Sequence, residues 1–214
     1  MITQGRFISV EGIEGAGKTT AVQYIQDYFK KRNMIAHFTR EPGGTPLAEA
    51  IRSLLLHQED GQEKMQAETE LLLMFAARAQ HLANYIKPRL QRGQWVVSDR
   101  FIDASYAYQV GGRALSESLV RTLDEGIVQG CYPSLTILLD IAPDIGLARA
   151  SARGHQQDRI ESEQVEFFAR VRDTYLARYQ ADQKRIKLIN ASGTPTEINQ
   201  QIEQLLTTHL AGVL

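Results

Sequence analysis

A single cysteine, Cys131, among 214 residues excludes an intramolecular disulfide and any Cys-x-x-Cys metal or redox site. Histidine is scarce and scattered, at His37, His57, His81, His155 and His209, so no pair has the spacing of a protein-built transition-metal site. Charge of one sign is lacking too. The 24 Lys and Arg nearly balance 25 Asp and Glu, for a formal net charge of −1. That argues against a nucleic-acid coat or a polybasic membrane patch, and leaves room for a local basic pocket. No apolar run is long enough to span a bilayer, and the first residues carry no signal-peptide h-region. A cytoplasmic enzyme with neither nucleic-acid nor membrane partner is the expectation. With 43% hydrophobic and 23% charged residues an ordinary core is feasible, and the length suits one domain over residues 1–214.

What is present is concentrated near the start. Gly12-Ile13-Glu14-Gly15-Ala16-Gly17-Lys18-Thr19 is a full G-x-x-x-x-G-K-[ST] motif, followed by Thr20. The apolar, β-branched run Phe7-Ile8-Ser9-Val10 precedes it, and helical apolar spacing follows. The motif therefore lies between a strand and a helix, where its mechanism needs it. Backbone N–H groups of the glycine-rich turn cradle phosphate oxygens, Lys18 reaches the β- and γ-phosphates, and the Thr19 hydroxyl can ligate Mg²⁺. The helix starting there points its positive end at the same anions. A nucleoside triphosphate is the expected ligand.

Four further runs read as strands: Met34 to Thr39, Trp95 to Ser98, Leu135 to Leu139 and Ile186 to Ile189. Helices are expected from Pro46, from Gln66 to Ile86 with closure near Pro88, from Ala104 to Gln109, from Ser116 to Val128, from Pro143, from Glu163 to Ala181, and from Pro195 to Leu206. Nearly all-apolar strands alternating with helices predict an α/β fold, a P-loop NTPase-type parallel sheet of about five strands covered on both faces. Ligands in such sheets bind at the carboxyl ends of the strands, here Glu11, Arg40, Asp99 and Asp140.

A guanine-reading Asn-Lys-x-Asp is missing, which excludes a GTPase of that kind, and the chain is short for a motor ATPase. A small-molecule kinase remains. Arginine forks match phosphate oxygens, and Arg40, Arg52, Arg78, Arg100, Arg149, Arg153 and Arg159 border the expected strand ends. Arg78 interrupts an apolar helical run, so it needs a partner. Either it forms a core ion pair with a residue such as Glu70, or it reads a base edge, with Met74 and Phe75 one turn away.

Taken in order, the P-loop with Glu14, Phe38-Thr39-Arg40-Glu41-Pro42-Gly43-Gly44-Thr45, Phe75-Ala76-Ala77-Arg78, Ser98-Asp99-Arg100 and Tyr108-Gln109 resemble the motifs of the thymidylate kinase family, over nearly the whole chain. The resemblance implies transfer of the ATP γ-phosphoryl to dTMP, giving dTDP and ADP, with Mg²⁺ and in a homodimer. It also implies roles. Glu14 would accept the 3′-hydroxyl of the sugar, Arg40 and Arg100 would clamp the acceptor phosphate with Arg52 beside them, and Asp99 would stand near Mg²⁺. Arg78, Ser105 and Gln109 would surround the thymine edge, and Tyr108 would lie beneath C2′. The family's thymine-stacking aromatic has Met74 at its position, with Phe75 next to it, and the ring is covered by one or the other. In one branch of the family an arginine inside the P-loop helps the reaction; here the place is Gly15. The chain thus resembles the bacterial type, in which a lid, about residues 143–160, supplies arginines such as Arg149, Arg153 and Arg159. The other readings left open are a different small nucleoside or nucleotide kinase, and a non-catalytic nucleotide switch.

Overall fold

The computed structural model describes residues 6–57, 63–152 and 158–211. Five parallel strands, β1 (Phe7–Glu11), β2 (Ala36–Arg40), β3 (Trp95–Asp99), β4 (Leu135–Asp140) and β5 (Ile186–Asn190), form one sheet in the order β2-β3-β1-β4-β5. β1 is central, pairing Ile8 with Val97 of β3 and Leu135 of β4. Its residues alternate between two cores. Ile8 and Val10 join Ile25 and Phe29 of α1 (Lys18–Lys31) and Leu206 of α9 (Pro195–Ala211). Phe7 joins Leu71 and Phe75 of α3 (Ala67–His81) and Val120 of α6 (Glu117–Val128). Both faces are therefore covered, as near-continuous apolar strands require.

The expected strands all form. α2 (Pro46–Leu56) starts where Thr45 Oγ1 accepts the N–H of Ala48, with Pro46 in the first turn. Pro88 does not close the helix before it. The chain runs from α3 through a π-helical stretch, Leu82–Ile86, into α4 (Lys87–Gln91). The widened turn accommodates the missing donor and the ring, so the proline falls in the first turn of a new segment. Gly111 and Gly112, which fall between the helices expected over Ala104 to Gln109 and Ser116 to Val128, belong to the first of them. α5 (Ile102–Ser105) passes into a second π-helical stretch, Tyr106–Gly112, that includes them. α7 (Pro143–Ser151) and α8 (Val165–Ala181) complete the layer, and Arg153 and Gly154 lie outside the described residues. Among the described residues no helix is long and apolar enough to cross a membrane.

Candidate active site

The carboxyl ends of β1, β2 and β3 open on a cleft of about 730 Å³, the size of a small-molecule site. Its walls include Glu14, Gly15, Ala16, Gly17, Lys18, Thr19 and Thr20, then Arg40, Arg52, Met74 and Arg78, and then Asp99, Arg100, Ser105, Tyr108, Gln109 and Arg149. Phe75, considered as a cover for the base, faces away: it is buried in the core with Leu71 and Phe101, and Met74 meets the cleft instead. Gly12 and Ile13 turn inward as well. Neither lines the cleft, and Ile13 packs in the core.

At the P-loop end, Lys18 Nζ donates to the carbonyl of Ile13 at 2.9 Å and lies 4.0 Å from Glu14 Oε2. Burial, helped by the nearby Arg100 guanidinium, pushes the Lys18 ammonium down to about 8. Gly15 has a left-handed backbone, and a Cβ there would overlap the carbonyl of Gly146 in α7. This close approach excludes an arginine at Gly15, so cationic help comes from elsewhere. Thr19 is exposed, and Asp99 Oδ1 is buried without a hydrogen-bond partner among the described residues. No group of three His, Cys, Asp or Glu that could hold a metal was found among them. One carboxylate and one hydroxyl suit a hard cation bound mostly through phosphates and water.

The far wall was not anticipated. Gly193, Pro195, Ile198 and Asn199, from the turn after β5 and the first residues of α9, line the same cleft. Thr194 and Glu197 cap that helix reciprocally, Thr194 N–H to Glu197 Oε2 at 2.7 Å and Glu197 N–H to Thr194 Oγ1 at 3.3 Å. The Thr-x-x-Glu pattern was a readable signal for the helix start, though not for its place in the fold. Arg149 donates to the carbonyls of Ala191 (2.8 Å) and Ser192 (3.2 Å), fastening this turn to α7.

Arg100 is the hub of the other end. Its backbone is left-handed, φ 68°, a strained state for a side-chain-bearing residue. Its guanidinium donates to the Gly12 carbonyl (3.0 Å), pairs with Glu14 Oε2 (3.5 Å) and lies 4.8 Å from the centre of the Tyr108 ring. Glu11, which sequence reasoning passed over as a strand end, supports the loop from beneath. One oxygen accepts the Phe101 N–H at 2.7 Å and the other the Tyr175 hydroxyl at 2.8 Å. Burial, with Asp103 near, pushes the Glu11 carboxyl up to about 7.

Arg78 is both an ion pair and a cleft residue, but its partner is not Glu70. Nε donates to Glu41 Oε2 at 2.7 Å, and the two amino groups donate to Ser105 Oγ (2.8 Å) and the Phe101 carbonyl (3.1 Å). Glu41 is steadied by His81 Nδ1 at 3.0 Å, and Thr39 pairs with His81 Nε2 at 2.7 Å. Glu41 lies 37 residues away in sequence, whereas Glu70 was the local choice on the same helix. Arg40 pairs with Glu49 (2.9 Å), and Arg52 donates to the Pro42 carbonyl (2.9 Å), both beside the turn that follows β2. Arg159, expected with the lid arginines, is turned away from the P-loop. It donates to the Leu55 carbonyl at 3.0 Å and to Glu70 at 2.6 Å. A buried carboxylate and a helix-end carbonyl satisfy it there, contrary to the catalytic role expected of it.

The thymidylate kinase family model matches residues 10–202. A thymidylate kinase of Vesicomyosocius okutanii is 48% identical over 203 residues, 95% of this chain and 98% of the relative. One of Pseudomonas savastanoi pv. phaseolicola is 49% identical over 202 residues, 94% and 95% of the two chains. The crystal structure of thymidylate kinase from Ehrlichia chaffeensis is similar with a TM-score of 0.75 at 30% identity, covering 94% of this chain and 97% of that one.

Proposed function

The chain belongs to the thymidylate kinase family, and from that premise we propose how its cleft is divided between two nucleotides. The protein transfers the γ-phosphoryl group of ATP to dTMP, giving dTDP and ADP. The observation that carries the division is Arg100. It reaches the P-loop carbonyl of Gly12 on one side and the Tyr108 ring on the other, so it stands where donor and acceptor phosphates would meet. ATP lies along the P-loop, with its base toward Arg149, Gly193, Pro195 and Ile198. The acceptor phosphate lies against Arg40 and Arg100, with Arg52 behind. The sugar lies over Tyr108 near Glu14, and the base under Met74 with its edge toward Arg78, Ser105 and Gln109.

The attacking atom is a phosphate oxygen, anionic near neutral pH, so no general base is needed. Alignment of two polyanions and neutralisation of charge on the transferred group do the work. Lys18, Arg100 and the lid residue Arg153 supply positive charge, while Arg149, expected with them, is held at the base end by the Ala191 and Ser192 carbonyls. Asp99 and Thr19 are fit to hold Mg²⁺, which when bound neutralises charge on the phosphates. Closure of residues about 143–160 excludes water. The work is done in the cytoplasm, where no nucleic acid or membrane is needed.

The test is an acceptor grid. ADP release should be fast with dTMP and negligible with thymidine. A preference for dTMP over dUMP rests on one methyl, about 10–200-fold. Tyr108→Ala should relax discrimination against the ribonucleotide by roughly tenfold, because the ring denies space and partners to a 2′-hydroxyl. An unchanged ribose/deoxyribose ratio of kcat/KM would mean Tyr108 is only a core residue.

A homodimer is the proposed assembly. Leu47 and Leu54, seven residues apart on α2, are 55% and 61% exposed, and Leu72 on α3 is 56% exposed. Such a leucine surface suits a partner copy. Sedimentation of Leu54→Glu with Leu72→Glu should show monomer where the parent protein is dimeric; a persistent dimer would move the interface elsewhere.

A further inference from the structure

Glu70, in the first turn of α3, is 1% exposed, yet its carboxylate gathers three side chains from other parts of the chain. Gln109 Nε2 donates to Oε1 at 2.9 Å, Arg113 Nε is 3.2 Å from both oxygens, and Arg159 donates to Oε2 at 2.6 Å. Each arginine is anchored again, Arg159 on the Leu55 carbonyl and Arg113 on Glu163. Burial alone would raise the Glu70 carboxyl, but the hydrogen bonds and charges of Arg113 and Arg159 hold it below the usual carboxylate range. It is therefore ionised and can only accept. An amide facing such a group must turn its NH₂ toward it and its carbonyl away. Gln109 is 1% exposed, lines the cleft, and no donor meets its Oε1 among the described residues.

We propose that Glu70, clamped by Arg113 and Arg159, is a positioning residue that fixes the Gln109 amide with its carbonyl toward the cleft, so that the site selects 2,4-dioxopyrimidines over 4-aminopyrimidines. This rests on the proposed placement of Gln109 and Arg78 at the base edge. The two side chains then present an acceptor beside a donor, since a guanidinium donates only. A 2,4-dioxopyrimidine offers the complement, a ring N3–H beside the O4 carbonyl. A 4-aminopyrimidine reverses both, setting a ring lone pair against the Gln109 carbonyl and an amino group against Arg78. Unmatched polar groups in a buried site are rejected by up to about 10⁴-fold. Without Glu70 a glutamine could rotate and accommodate either base. Arg159 thus acts far from the transferred phosphate, as a clamp.

The experiment compares kcat/KM for the monophosphates of thymidine and 5-methyldeoxycytidine, which share the ring methyl. In Glu70→Gln the new amide can accept or donate, and the discrimination ratio should fall tenfold or more. Glu70→Asp keeps an acceptor-only group and should keep the ratio, while Gln109→Met should lose it. An unchanged ratio in Glu70→Gln alongside a fall in Gln109→Met overturns the inference and leaves the base placement standing. An unchanged ratio in Gln109→Met overturns the base placement itself, and the inference with it. Equal falls in Glu70→Gln and Glu70→Asp mark Glu70 as merely structural and overturn it too. Should Glu70→Gln fail to fold, the side-chain amide nitrogen-15 signal of Gln109 in the unsubstituted protein decides, identified by its absence in Gln109→Met. Slow amide exchange supports the inference, and rapid exchange with solvent overturns it.

Discussion

Lys18→Ala is expected to lower turnover by about 10²–10³ with the fold intact, the usual consequence of removing one preorganised donor from a transition state. The side chain is buried, but its one close hydrogen bond is to the Ile13 carbonyl, and α1 is held by Ala21, Ile25 and Phe29 in the core. Its charge state supplies a second signature. With the ammonium pushed down to about 8 by burial and by Arg100, the free protein loses this proton as pH rises through that value. Phosphate binds the protonated form, so ATP binding above this pH must take up a proton. The dissociation constant for ATP should then rise, by up to about tenfold per pH unit. The slope should vanish in Lys18→Ala. Calorimetric titration of ATP across pH 7 to about 9.5 measures both. Near-normal turnover in a folded Lys18→Ala protein would remove the lysine from the mechanism, and an ATP affinity flat across that range would show that its charge is not what phosphate recognises.

Strands and P-loop were readable because their signals are local. An apolar run such as Leu135 to Leu139 has one economical fate in an α/β chain, and the glycine-rich motif lies between a strand and a helix, as phosphate binding requires. What escaped depends on distance in sequence. Arg78 was recognised as needing a partner, but Glu70 was the choice suggested by helical proximity. The fold delivers Glu41, from the end of β2, and gives Glu70 to Gln109, Arg113 and Arg159 instead. The choice between Met74 and Phe75 turns on a rotation of about 100° per residue on α3, and a packed core resolved it by taking Phe75. Pro88 misled because a proline reads as a stop, and the wide turn that absorbs it has no sequence signature. Glu11 looks like an ordinary charged strand end, although one of its oxygens holds the Phe101 N–H next to Arg100 and the other the Tyr175 hydroxyl of α8.

Arg100→Lys is expected to lose about 10²-fold or more in kcat/KM, nearly as much as Arg100→Ala, despite keeping the charge. The reason lies in how the residue is held. Its left-handed backbone is pinned by three hydrogen bonds: Arg100 N–H to the Val10 carbonyl (2.9 Å), Ser98 Oγ to the Arg100 carbonyl (2.7 Å), and Phe101 N–H to Glu11 Oε1 (2.7 Å). None involves the guanidinium, so a replacement leaves the backbone in place. The side chain must do two things at once, hold the Gly12 carbonyl and present a flat fork to phosphate against the Tyr108 ring. An ammonium is a point charge, and whichever oxygen it serves it abandons the other. The loss should therefore appear with both ATP and dTMP as the varied substrate, since in the proposed placement one group serves the two phosphates. Arg100→Gly separates chemistry from fold. Glycine accepts a positive φ without penalty, which relieves strain on the order of 1 kcal/mol, so the backbone turn should survive while turnover is lost. An Arg100→Lys protein within about threefold of the parent in kcat/KM would show that charge alone suffices, because a lost bidentate contact to phosphate costs more than that.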